Sequence, residues 1–127
     1  MVFVYKHFAF LGQESVWAAQ ASECAADQGK FWEYHDLLFN RQAGENEGVF
    51  TKESLLGFAG EIGLDAARFE PCLMNDETLD RVQADVQEGR RANVTGTPTF
   101  FVNGQPLAGA QPFETFKAVI DPLLRGR

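Results

Sequence analysis

Apolar and aromatic side chains open the chain without any helical period. Val2, Phe3, Val4, Tyr5 and Phe8 are strand formers, so the run 2–8 predicts a strand, apolar enough to be buried on both faces. Leu11-Gly12 breaks it, and the pattern turns helical. From Val16 to Gln28 the chain is rich in Ala, with Trp17, Ala21, Cys24 and Ala25 near helical spacing. Ser15 is the expected cap, because its hydroxyl can accept from an orphan N–H of the next turn. Gly29 is the expected stop. Lys30 to Gln42 predicts a second helix with Phe31, Tyr34, Leu37 and Leu38 on one face.

After a polar, glycine-bearing loop at 43–48, Thr51 caps a third predicted helix to Ile62, ended by Gly63. Asp65 caps a short fourth helix through Phe69, which Pro71 kinks or restarts. Asn75 or Asp76 caps a longer helix to about Ala92, with Leu79, Val82 and Val86 inward. Thr99 to Val102 predicts a strand, Asn103-Gly104 a tight hairpin turn and Pro106 to Gly109 a short return strand. Pro112 suits the first turn of a final helix carrying Phe113, Phe116, Val119 and Ile120.

Composition narrows the picture. The 127 residues are 45% apolar, with 18 acids against 11 bases and a net charge of −7. That is enough apolar matter for one packed domain. The acidic balance argues against nucleic acid as a partner, because phosphate neutralisation needs clustered Lys and Arg. No uncharged apolar run is long enough for a membrane span. The one dense basic spot, Arg90-Arg91, reads as a helix end. The opening Met1-Val2-Phe3-Val4-Tyr5 reads as a strand and not as a secretory leader, which leaves extracytoplasmic and cytoplasmic locations both open.

Two groups of residues are candidates for chemistry. The cysteines, Cys24 and Cys72, stand 48 apart and form no Cys-X-X-Cys. They read either as two buried thiols or as a structural disulfide between two helical segments. No Cys/His spacing suggests a metal site, and nothing in the sequence calls for a cofactor. Pro98 stands directly before a strand, where proline cannot donate to a ladder. It is either an ordinary loop proline or a cis-proline in a tight turn. A cis turn would leave the backbone of Thr97 free to pair with an extended peptide. His7 and His35 read as structural, Glu33 and Asp36 as a solvated face, and Trp17 and Trp32 as core anchors.

Gly96-Thr97-Pro98-Thr99-Phe100-Phe101-Val102-Asn103-Gly104 resembles the cis-proline loop and hairpin of DsbA-like members of the thioredoxin superfamily. Glu23-Cys24-Ala25 and the run from Gln28 to Phe39 are similar to that family's helical insertion. Phe69 to Leu73 and the opening Val4-Tyr5-Lys6-His7-Phe8 fit as well. The resemblance implies an α/β, incomplete thioredoxin-like fold with an all-helical insertion: one domain over 1–127, with 1–14 and 93–127 thioredoxin-like and 15–92 mainly helical. It implies a family of thiol–disulfide oxidoreductases acting on protein substrates. It favours the Cys24–Cys72 disulfide, and assigns substrate binding to Thr97 and Pro98.

Departures from the family set the remaining expectations. Its chemistry needs a Cys-X-X-Cys at the N-terminus of the first helix, where the dipole and orphan N–H groups lower one thiol pKa. This chain opens at what matches the second strand, so the first strand, the dithiol and the first helix are expected to be absent. Ala9 stands where the family often has proline. No catalytic residue is therefore assigned, and the chain is expected to be inactive as an oxidase alone. The strands at 2–8 and 99–102 would face a gap. They either pair directly, recruit a strand from a second copy, or belong to a fragment; self-association into a homo-oligomer is the expectation. A non-catalytic peptide-binding module and a glutathione-dependent kappa-type isomerase or transferase relative are the alternatives.

Overall fold

A computed structural model describes residues 1–126. It contains α1 (Gln13–Ala26), α2 (Phe31–Asn40), α3 (Lys52–Glu61), α4 (Ala66–Met74), α5 (Leu79–Arg91), β1 (Thr99–Val102), β2 (Gln105–Ala108) and α6 (Phe113–Arg125). The chain divides into two compact units, His7–Gln87 and the pair of segments Met1–Lys6 and Glu88–Arg127.

The unit His7–Gln87 is helical. α1 packs on α2, α3 and α4, and α3 also packs on α2 and α4. The core between them is formed by Ala21, Cys24 and Ala25 of α1, Tyr34 of α2, Leu55 and Phe58 of α3, and Phe69, Cys72 and Leu73 of α4. Each fully buried large apolar side chain contributes roughly 1.5–3 kcal/mol. Tyr34 meets its polar obligation inside this core by donating from Oη to the Leu55 carbonyl at 2.8 Å.

Local signals explain the helix ends. Gly29, at φ 74°, closes α1: its N–H bonds Ala26 O at 2.9 Å and the Lys30 N–H bonds Ala25 O at 3.0 Å. This 5→2 and 6→1 pairing satisfies carbonyls the helix leaves orphaned. Gly63 ends α3 by the same pair of bonds. Thr51 Oγ1 accepts from Ser54 N at 3.2 Å and Asp65 Oδ1 from Ala67 N at 3.0 Å, as expected of both caps.

Four expectations for the helices need correction. α1 begins before Ser15, because Gly12, at φ 104°, takes the cap position and the Asn46 side chain receives the Glu14 N–H at 3.4 Å. α4 runs unbroken through Pro71, since a proline removes only one bond of the ladder and Asn75 N still reaches Pro71 O at 2.9 Å. Neither Asn75 nor Asp76 caps α5. Asp76, at φ 53°, closes α4 instead, with the Glu77 N–H on Cys72 O at 3.0 Å. Trp32 is no core anchor: it is 47% exposed on α2, while Trp17 packs against the core.

The displaced Asp76 carboxylate has its own work. Its Oδ1 accepts from Gln20 Nε2 at 2.8 Å and Lys52 Nζ at 3.0 Å. The Gln20 hydrogen bond and the Lys52 ammonium hold its carboxyl below the usual carboxylate range. A depressed carboxyl pKa adds stability that is complete above the unfolded-state value of about 3.9 and is lost as pH falls toward the folded-state value. The substitution Asp76→Asn keeps an acceptor for Gln20 and tolerates positive φ. Urea unfolding at pH 7 and pH 3 is expected to show a smaller acid loss in this variant than in the parent; equal losses would remove Asp76 from the account.

The other unit holds the sheet. β1 and β2 form an antiparallel hairpin with Thr99 opposite Ala108 and Val102 opposite Gln105. Asn103 and Gly104, at φ 48° and 84°, make the two-residue turn the sequence predicts. Phe100 of β1 meets Phe116 of α6 edge-on, ring centroids 4.7 Å apart. Pro112 stands at the cap of α6, one position before the first turn, and Phe113 is 72% exposed and not inward.

The predicted strand at 2–8 does not form. The sheet has two strands, β1 and β2, and Met1 and Val2 are nearly fully exposed. Direct pairing of 2–8 with 99–102 into a three-stranded sheet is therefore absent among the described residues. The reason is physical: β-propensity describes fit to a pleated, half-buried surface and does not by itself make a strand.

Candidate functional site

The turn between α5 and β1 is built by short-range bonds. α5 ends on Arg90-Arg91, and Asn93, at φ 63°, reverses the chain so that the Val94 N–H bonds Gly89 O at 2.9 Å. Thr99 Oγ1 donates to Gly96 O at 2.7 Å, which folds 96–99 on itself. The Thr97–Pro98 peptide bond within that fold is cis. The Pro98 carbonyl accepts from the Gly109 N–H at 2.8 Å, so the hairpin register continues one residue beyond β1.

Thr97 and Pro98 are both exposed. Among the described residues, neither the N–H nor the C=O of Thr97 has a hydrogen-bond partner. One residue of an extended segment can exchange both bonds with such a residue, as in a hydrogen-bonded antiparallel pair. Both main-chain groups of Thr97 are thus open at this turn.

The cysteines are joined. Cys24 and Cys72 form a disulfide between α1 and α4, with Cα atoms 6.0 Å apart. Both are buried. Cys24 lies near the C-terminal end of α1 and Cys72 within α4, so neither has the helix N-terminus that activates a thiolate. A cavity of about 260 Å³ beside the bond is lined by Asp27, Gln28, Arg68, Pro71 and Glu77 as well as the cysteines, all from the unit His7–Gln87. Its charged walls are partly engaged: Arg68 donates to Asp27 O at 3.2 Å, and Arg81 clamps the Asp27 carboxylate at 2.9 and 3.1 Å.

Other titratable groups are structural. Buried His7 shares a 3.1 Å bond between Nε2 and Glu23 Oε2, and its N–H donates to Asp85 Oδ2 at 3.0 Å. His35 Nδ1 bonds Asp36 Oδ1 at 3.0 Å. No cluster of potential metal ligands is present among the described residues. Burial lifts the Tyr34 phenol far above its ordinary range. Sequence reasoning missed the buried polar pair Gln20 and Thr78, whose hydroxyl donates to Gln20 O at 2.9 Å. Neither residue type at its spacing signals a core position, so no pattern could have found them.

Comparison with known proteins places this geometry. The chain is 39% identical over 109 residues to a Na(+)/H(+) antiporter NhaA of Herminiimonas arsenicoxydans, covering 86% of this chain and 17% of that protein. It is 26% identical over 133 residues to Disulfide bond formation protein D of Bacillus subtilis, covering 98% of this chain and 58% of that protein. It thus spans well under two thirds of either relative. No helix among the described residues is long and apolar enough to cross a membrane. The crystal structure of the thiol-disulfide exchange protein alpha-DsbA2 from Wolbachia pipientis superposes with a TM-score of 0.80 at 22% identity, over 94% of this chain and 64% of that one. The family described as thioredoxin matches residues 1–122, and with a thioredoxin-like, DsbA-like fold behind that match, the chain belongs to the thioredoxin family.

Proposed function

We propose that this chain is the peptide-binding part of a DsbA-like protein thiol–disulfide oxidoreductase, and that its 127 residues alone carry no redox chemistry. The observation that supports this most is the exposed turn at Thr97 and Pro98, where the N–H and C=O of Thr97 stand open. Thr97 pairs its backbone with an extended protein segment, and Pro98 holds that geometry. The two cysteines are consumed in a buried bond between helices. The antiporter name belongs to a protein of which the match covers 17%, and nothing at this site supports ion transport.

Insulin reduction tests the redox half of the reading. The chain is expected to precipitate insulin no faster than dithiothreitol alone, and a clear acceleration would overturn it. Self-association belongs to the same proposal, because β1 has one edge that β2 does not cover. Light scattering is expected to give twice the 14.1 kDa chain mass, and a peptide competing for that edge should shift it toward the monomer. A monomer at all concentrations would remove this part.

A further inference from the structure

The turn that offers Thr97 lies in the stretch of chain poorest in carboxylates. From Gly89 to Phe113 there is no Asp or Glu, in a chain that has 18. The only charges in that stretch are Arg90 and Arg91, both exposed and both without an ion pair or side-chain hydrogen bond among the described residues. Of all 18 acids, only Glu88, Glu114 and Asp121 fall in the unit of Met1–Lys6 and Glu88–Arg127. Glu88 is taken up by Lys6 at 3.2 Å, and Asp121 by Lys117 at 2.5 Å.

The two arginines lie a few residues from Thr97 along the chain. The bond from Val94 N to Gly89 O folds the chain back onto the last turn of α5. Only the residues from Val94 to Thr97 then separate that turn from the site, and three residues span at most about 11 Å. An extended ligand advances about 3.3 Å per residue. Its side chains within about three positions of the residue paired with Thr97 therefore pass within reach of Arg90 and Arg91. That separation is comparable to the Debye length of about 10 Å at 0.1 M salt.

Resting on the peptide-binding reading above, we infer that the Thr97 site selects extended segments carrying Asp or Glu, through Arg90 and Arg91. The main-chain bonds at Thr97 read no sequence, and the arginines supply the preference. Carboxylates suit them because a guanidinium presents a planar fork to two oxygens. The net charge of −7 acts in the opposite direction and by itself favours a basic ligand. The sign of the preference thus separates the local arginines from the charge of the whole chain.

The test uses three fluorescein-labelled nonapeptides with one apolar pattern and Glu, Gln or Lys at the polar positions. Binding to the chain is read by anisotropy at low and at high salt, and Thr97 amide shifts are followed in parallel. The Glu peptide is expected to bind about tenfold more tightly than the Lys peptide at low ionic strength, and within about twofold at 0.5 M salt, since exposed pairs are individually weak and screened. The double substitution Arg90→Glu with Arg91→Glu is expected to reverse the order; Arg90→Gln with Arg91→Gln should abolish it while leaving the Gln peptide unaffected. The salt dependence of the unsubstituted chain decides the matter if either variant is poorly folded. Equal binding of all three peptides with a shifted Thr97 amide would overturn the selectivity and leave the docking site standing. A Lys preference would overturn it as well. No shift at Thr97 with any peptide would instead remove the peptide-binding reading.

Discussion

Replacing Cys24 and Cys72 together by alanine is expected to lower the unfolding free energy by about 4 kcal/mol. The bond closes a loop with a sequence separation of 48, and the chain-entropy treatment gives about 4 kcal/mol for a loop of that length. Domains of this size have roughly 5–15 kcal/mol in total, so the loss is a large share of the whole. The effect acts mainly through the unfolded chain, which gains the freedom the bond withholds. Two controls separate it from lost packing. Dithiothreitol should destabilise the parent by a similar amount, and should leave the double alanine variant unchanged. Titration with Ellman reagent in denaturant should find no thiol in the untreated protein. Two titrating thiols would contradict the bond.

Phe69→Ala is expected to cost about 3–5 kcal/mol, the range for deleting a buried aromatic ring. Phe69 is 1% exposed on α4, and its ring lies 5.7 Å from that of Tyr34 on α2. Its helix packs on both α1 and α3, so the hole would open where several elements meet and could not collapse without moving one. Tyr34 would also lose a face that holds its Oη toward the Leu55 carbonyl. Denaturant melts of the variant check the magnitude, and a loss below about 1 kcal/mol would show the ring is peripheral. Because the hairpin belongs to the other compact unit, the peptide affinity of whatever fraction remains folded should be unchanged.

The helical unit was the most legible part of the chain, since its signals are local. Thr51, Asp65, Gly29 and Gly63 act within one turn of themselves, and each does what its residue type allows. The hairpin was equally legible, because Asn103-Gly104 accepts positive φ where few residues do. The failures were non-local. Segment 2–8 has the composition of a strand, but the sheet has two strands, β1 and β2, and it is not one of them. Asp76 was read as a cap from its type, whereas its place is decided by Gln20 and Lys52 on other helices. Trp32 and Phe113 lie at apolar spacings but stay outside the core, 47% and 72% exposed. At the site, Thr97 and Pro98 stood out because proline before a strand is a local conflict. The Cys24–Cys72 bond was favoured through the family resemblance alone, since a separation of 48 residues states nothing about distance in space, and the structure bears it out.

The central claim is that an extended segment docks on the main chain of Thr97 and that this is the business of the chain. A titration of the ¹⁵N-labelled protein with the Gln nonapeptide, followed residue by residue, tests it most directly. Amide shifts confined to about Gly96 to Phe100, with the Thr97 N–H newly protected from exchange, are the predicted result. Saturable shifts around the cavity at Cys24, Arg68 and Cys72, with Thr97 unmoved, would contradict it.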